Sequence, residues 1–90
     1  MQPYRIELKI SADKTLQSLP TTIQKRIVRA IEQLADDPRP SGVVKISGDD
    51  NAWRIRVGDY RIIYEIHDGR LLVLVIRIWH RCDIIYRKKK

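Results

Sequence analysis

The sequence predicts an α+β domain: an N-terminal strand, a helical hairpin, then a twisted antiparallel sheet. Three patterns carry that expectation. Tyr4 to Ile10 alternates apolar and charged residues, Ile23 to Leu34 repeats apolar residues at helical spacing, and the apolar second half is cut by Gly58-Asp59 and Asp68-Gly69. Ninety residues leave no room for a second core, so residues 1–90 are expected to form one domain.

Each element follows from local chemistry. Tyr4, Ile6, Leu8 and Ile10 share one side of the first strand, with Arg5, Glu7 and Lys9 on the other. Ser11 and Asp13 offer helix-capping groups, and a short helix through Leu16 and Leu19 is expected to end at Pro20. A second helix starts at Thr21, buries Ile23, Ile27, Ile31 and Leu34, and exposes Lys25, Arg26, Arg29 and Glu32. Asp36-Asp37-Pro38 stops it, because proline cannot continue a helical ladder. Val43 to Ile46 is a short strand candidate, and 47–51 a polar turn. Two strands then fold over Gly58-Asp59 and a third follows Asp68-Gly69, both dipeptides favouring tight hairpins. Leu71 to Ile78 is nearly unbroken Leu, Val and Ile, which predicts the central strand, covered on both faces. Ile84 to Lys90 reads as a basic tail anchored by Tyr86.

Composition narrows the function. No apolar run approaches a membrane span, and the first residues lack the apolar stretch of a signal peptide. The single Cys82 has no internal disulfide partner, so a cytoplasmic location is expected. The formal charge of +7 is concentrated: residues 1–50 carry 8 basic and 7 acidic side chains, whereas residues 51–90 carry 10 and 4. A basic half suggests a polyanion or an acidic protein as partner, and equally fits a solvated surface.

The stretch RIRVGDYRIIYEI, 54–66, sharpens the question. A two-residue loop at Gly58-Asp59 pairs Val57 with Tyr60, Arg56 with Arg61, Ile55 with Ile62 and Arg54 with Ile63. One face then carries Trp53, Ile55, Val57, Tyr60, Ile62, Tyr64 and Ile66 and is core. The other carries Arg54, Arg56, Arg61, Ile63 and Glu65. A two-residue turn at Asp68-Gly69 adds Leu72, Leu74, Ile76 and Ile78 to this second face, with His80 next in parity. Like charges opposite one another are destabilising. The arginines either meet Glu65 and other carboxylates, splay into water, or surround an anion; guanidinium groups grip phosphate in bidentate fashion.

The end of the last strand, Trp79-His80-Arg81, favours the anion. Imidazole is the side chain whose ordinary pKa lies near neutrality. A proton carrier beside phosphate-binding arginines is what cleavage of an RNA backbone needs. Competing chemistries have less support. His67, His80, Cys82 and Asp83 do not match structural zinc spacing, and no phosphate-binding loop or dinucleotide fingerprint is present, so no cofactor or metal is expected.

The segments LQSLPTTIQKRIVRAIEQLADDPRP, WRIRVGDYRIIYEI and VLVIRIWHRCDIIYR resemble the RelE/ParE superfamily of bacterial toxin–antitoxin systems across nearly the whole chain. The most specific pieces are GDYRIIYEI and the H-R-x-D-x-x-Y ending. The resemblance implies the same small α+β fold and one of two activities. RelE-type members are ribosome-dependent endoribonucleases acting on mRNA in the A site; ParE-type members inhibit DNA gyrase. A non-catalytic basic RNA-binding module is a third reading. The implied partners are a cognate antitoxin in a hetero-oligomer, the ribosome with its rRNA, and mRNA, with no membrane. Arg61, Arg81 and Tyr86 match positions of the family's active site, and His80 stands where relatives carry histidine or lysine. Arg54 and Arg56 stand where lysines occur in the best-studied type of site. An arginine does not serve as a general base, so that role is expected of His80. Arg61 and Arg81 would hold the phosphate and Tyr86 would orient or stack a base, with Arg54, Arg56, Trp79 and Arg87 as further RNA or phosphate contacts.

Overall fold

The computed structural model describes residues 3–46 and 51–80. In chain order the elements are β1 (Arg5–Leu8), α1 (Ile10–Gln17), α2 (Thr21–Gln33), β2 (Val44–Lys45), β3 (Ala52–Val57), β4 (Tyr60–His67), a short 3₁₀ turn (Asp68–Arg70) and β5 (Leu72–His80). The strands form one sheet in the order β1-β5-β4-β3-β2. The α+β class and the order of elements are as expected. Two features of the sheet differ. β1 runs parallel to β5, with Arg5 opposite Leu72 and Leu8 opposite Val75, so the sheet is mixed. β5 lies between β1 and β4, which makes β4 the middle strand.

β1 ends two residues earlier than its alternation suggests. The Lys9 N–H donates to the Val75 carbonyl at 2.9 Å, and the chain then turns into α1 with Lys9 at the N-cap. Ser11 and Asp13 therefore lie inside the first turn, and no side chain caps this helix. Asp13 still favours that end of the helix dipole. The helix start is chosen by packing: it sets Ala12 and Leu16, four residues apart, onto the sheet and leaves Ile10 76% exposed. In α2 the expected stripe is buried at Ile27, Ile31 and Leu34, with Ile23 packed at its margin. The Gln24 side-chain amide donates to the Leu16 carbonyl at 3.1 Å and ties the two helices together.

Both helices pack on one face of the sheet. The core joins Ala12, Leu16, Ile27, Ile31 and Leu34 to Ile62, Tyr64, Ile66, Val73, Val75 and Ile78. Within it the fully buried Tyr64 hydroxyl donates to the Pro38 carbonyl at 2.6 Å, which fixes the loop after α2. Burial raises the Tyr64 pKa far above the ordinary tyrosine value. The same loop is clamped from outside. Arg39 donates to both oxygens of Asp68, at 2.9 and 3.3 Å, and Tyr4 donates to Asp68 Oδ1 at 2.5 Å. The Arg39 guanidinium also lies 5.2 Å from the Trp53 ring centroid, and the Lys45 ammonium 5.8 Å from it.

Candidate functional site

The face of the sheet away from the helices is built by strand register. The β3–β4 hairpin has the expected pairing: Val57 with Tyr60, Arg56 with Arg61, Ile55 with Ile62, and Arg54 with Ile63. Gly58, at φ +59°, takes the left-handed turn conformation that glycine adopts without strain. Arg54, Arg56 and Arg61 thus share one face, with Arg56 and Arg61 directly opposed.

The β4–β5 connection is longer than a two-residue turn. The 3₁₀ turn and Leu71, at φ 49°, separate His67 from its partner Leu72. This moves the pairing by two residues, so Leu72 and Leu74 remain on the expected face. A second irregularity does change the faces. Ile63 pairs with Arg77 while Tyr64 pairs with Val75, which leaves Ile76 as an extra residue in a bulge. Beyond it, alternation is inverted. Ile78, expected beside the arginines, is 2% exposed in the core under the helices. His80 pairs with Tyr60 on the helix side, their rings edge-to-face with centroids 5.0 Å apart. Arg77 and Trp79 take the places on the arginine face, opposite Ile63 and Arg61.

Two rows across β3, β4 and β5 result: Arg56–Arg61–Trp79 and Arg54–Ile63–Arg77. Four arginines share this patch, although β5 contributes one that alternation places elsewhere. The one sequence signal for Arg77 is its charge within the apolar run 71–79, at a position that plain alternation assigns to the core. Among the described residues, no carboxylate forms an ion pair with Arg54, Arg56, Arg61 or Arg77. Glu65, one alternative partner that the sequence offers them, is engaged with His67, Oε1 to Nε2 at 2.9 Å. Arg56 Nε donates to the Gly58 carbonyl at 3.3 Å, which orients its guanidinium at the hairpin tip. Arg77 lies over the Trp79 ring, 5.0 Å from its centroid. Arg54 and Arg61 are half-buried among apolar neighbours, whereas Arg56 and Arg77 are exposed.

Fixed positive charge with no carboxylate partner among the described residues attracts an anion. Planar guanidinium groups on neighbouring strands, about 4.8 Å apart, suit the oxygens of phosphate groups along a chain. Among the described residues, no group of three or more His, Cys, Asp or Glu side chains is placed to hold a metal ion. Arg81, Tyr86 and Arg87, the remaining expected site residues, lie outside the described residues, as does Cys82.

Comparison with known proteins gives a consistent result. Residues 6–85 match the family described as the ParE toxin of the type II toxin–antitoxin system parDE. Toxin RelG of Mycobacterium tuberculosis is 31% identical over 87 residues, covering 96% of this chain and 99% of its own length. The archaeal RelE–RelB complex of Pyrococcus horikoshii contains a chain that superposes with a TM-score of 0.79 at 28% identity, covering 88% of this chain and 96% of that one. A chain of the RelB–RelE antitoxin–toxin complex of Methanococcus jannaschii superposes with a TM-score of 0.73 at 30% identity, over 88% and 94% of the two chains.

Proposed function

The chain belongs to the RelE/ParE superfamily of toxins from toxin–antitoxin systems, and from that premise we propose that it is a RelE-type endoribonuclease cleaving mRNA in the ribosomal A site. The observation that carries this reading is the patch of four arginines on the helix-free face, without carboxylate partners among the described residues. A gyrase inhibitor that works by protein contact has no need of a cradle for phosphate; a nuclease does.

In the proposed reaction the 2′-oxygen of one nucleotide attacks the adjacent phosphorus. A base takes the 2′-hydroxyl proton, the bond to the 5′-oxygen breaks, and an acid protonates that leaving oxygen. The products are a 2′,3′-cyclic phosphate and a free 5′-hydroxyl. Arg61, with Arg54 and Arg56 beside it, holds the phosphate and stabilises the doubly charged transition state. His80 is assigned the base role and Arg81 and Tyr86 assist, as the family resemblance implies. The register turns His80 to the helix side, away from the arginine patch, so its base role rests on the resemblance. Arg87 is assigned an RNA-backbone contact. This chemistry draws on no metal or cofactor. Action on translating ribosomes places the protein in the cytoplasm, where a RelB-like antitoxin would hold it inactive in a hetero-oligomer, as in the complexes of its structural neighbours.

The test is 5′-end mapping of an mRNA in a reconstituted translation system, with and without ribosomes. New ends on ribosome-engaged message alone are expected, with Arg61→Ala reducing cleavage roughly 100-fold. Full activity of His80→Ala alongside loss in Arg61→Ala would remove the histidine from the base role. Intact message at high toxin concentration would sink the nuclease reading. The second reading, a ParE-like gyrase inhibitor, is favoured by the description of the matching family, and inhibition of DNA supercoiling by purified toxin is its test.

A further inference from the structure

We infer that Arg77 and Trp79 together form a base-stacking platform that sets the nucleobase preference of the RNA site, favouring purines. This rests on the reading of the arginine face as an RNA site and goes beyond it, from backbone binding to base selection.

Three observations carry it. The bulge at Ile76 delivers both residues to the arginine face, although neither has the parity to reach it in a regular strand. Their side chains are already associated, with the guanidinium 5.0 Å from the indole centroid. Arg77 is exposed, and no carboxylate among the described residues forms an ion pair with it, so its outward side is available to a ligand. Arginine planes and aromatic rings are the surfaces on which single-stranded bases stack. A guanidinium already resting on an indole loses less freedom when a base settles on it than a free side chain does.

The position of the pair within the grid fits one nucleotide. Trp79 is directly opposite Arg61 and Arg77 is opposite Ile63, one strand spacing of about 4.8 Å from β4. A phosphate held by Arg56 and Arg61 leaves its own base to extend across β4 toward β5. There the Arg77–Trp79 pair supplies the flat, cationic floor. Stacking is available to every base, and its strength grows with ring area, so a two-ring purine gains more from this floor than a pyrimidine. The phosphate cradle and the stacking floor are then separate devices. The cradle fixes where the backbone lies, and the floor ranks the bases laid on it.

The experiment measures binding of fluorescently labelled hexamers of adenylate and uridylate to the purified full chain, across a salt series. Arg77→Ala and Arg77→Lys are compared with wild type. Wild type is expected to bind the adenylate hexamer about tenfold more tightly. Both variants should lose that preference, and Arg77→Lys should keep the wild-type salt slope because it keeps the charge. Arg77 is exposed, so both variants should melt as wild type does, which separates a binding role from a structural one. Equal wild-type affinity for the two hexamers, or an intact preference in Arg77→Lys, would overturn the stacking platform and leave the phosphate cradle standing. Salt-insensitive or absent binding of both hexamers would overturn the RNA site itself, and the platform with it.

Discussion

At the scale of the residue, the positions that matter most are those whose polar atoms have a single partner. Tyr64 is fully buried and, among the described residues, its hydroxyl is satisfied by the Pro38 carbonyl alone. Tyr64→Phe keeps the packing and strands that acceptor, which should cost about 1–2 kcal/mol in urea denaturation. A variant as stable as wild type would mean that the loop relaxes and its carbonyl finds water. Tyr64 is recognisable in the sequence as a core residue by its alternation with Ile62 and Ile66. Its partner is not, because Pro38 lies 26 residues away and no pattern links them. The same holds for the arginines. Arg54, Arg56 and Arg61 are assignable to one face from the Gly58-Asp59 turn, but that no carboxylate among the described residues pairs with them emerges only from where Glu65 points. That carboxylate sits on their face yet turns to His67.

At the scale of the element, turns and bulges decide which face a side chain reaches. The Gly58 turn is specified locally: φ of +59° selects glycine, and the two-residue loop fixes the pairing on either side. A Cβ at Gly58 would also meet the Arg26 guanidinium, 3.6 Å away, at ordinary contact distance. Gly58→Ala should therefore destabilise by about 1 kcal/mol through backbone strain alone, with Gly58→Asn costing less since asparagine tolerates the left-handed region. Equal midpoints for the two variants in thermal unfolding would contradict that cause. The Ile76 bulge behaves differently. Leu71 to Ile76 is wholly apolar, so local chemistry there does not mark where an extra residue must be accommodated. The position is set by two packing demands at once: Val75 must enter the core opposite Tyr64, and so must Ile78 opposite Ile62. They stand three positions apart, an odd interval that plain alternation cannot satisfy. One residue is pushed out of register, and Arg77, Trp79 and His80 change faces as a consequence.

At the scale of the whole molecule, distant segments are clamped by surface charge. Asp68 in the β4–β5 connection joins Arg39 after α2 and Tyr4 before β1. Its carboxyl pKa is lowered, first by the hydrogen bonds from Arg39 and next by that from Tyr4. A carboxyl depressed in the folded state stabilises the fold fully above its unfolded value of about 3.9, and that contribution disappears as pH falls through the folded value. Asp68→Asn should lose on the order of 0.5 kcal/mol at pH 7, a modest figure because the group is solvent-exposed, and should converge with wild type as pH falls through the lowered folded-state value. Parallel stability curves for the two proteins across that acid range would show that the clamp contributes nothing. The clamp holds the helical layer to one end of the sheet, and the arginine patch lies toward the other, at the β3–β4 turn.

Local chemistry in the sequence determined the α+β class, the helical stripe, the β3–β4 register and the opposition of Arg56 to Arg61. Those features depend on periodicities and turn residues that act over a few positions. Tertiary structure alone decided that α1 begins at Ile10, that β1 pairs parallel to β5, and that β5 bulges at Ile76. Each of these is settled by which side chains must share the core with residues far along the chain. The same requirement moved His80 to the helix side and brought Arg77 and Trp79 to the arginines, because a strand that satisfies its core contacts has no further freedom to choose its outer face.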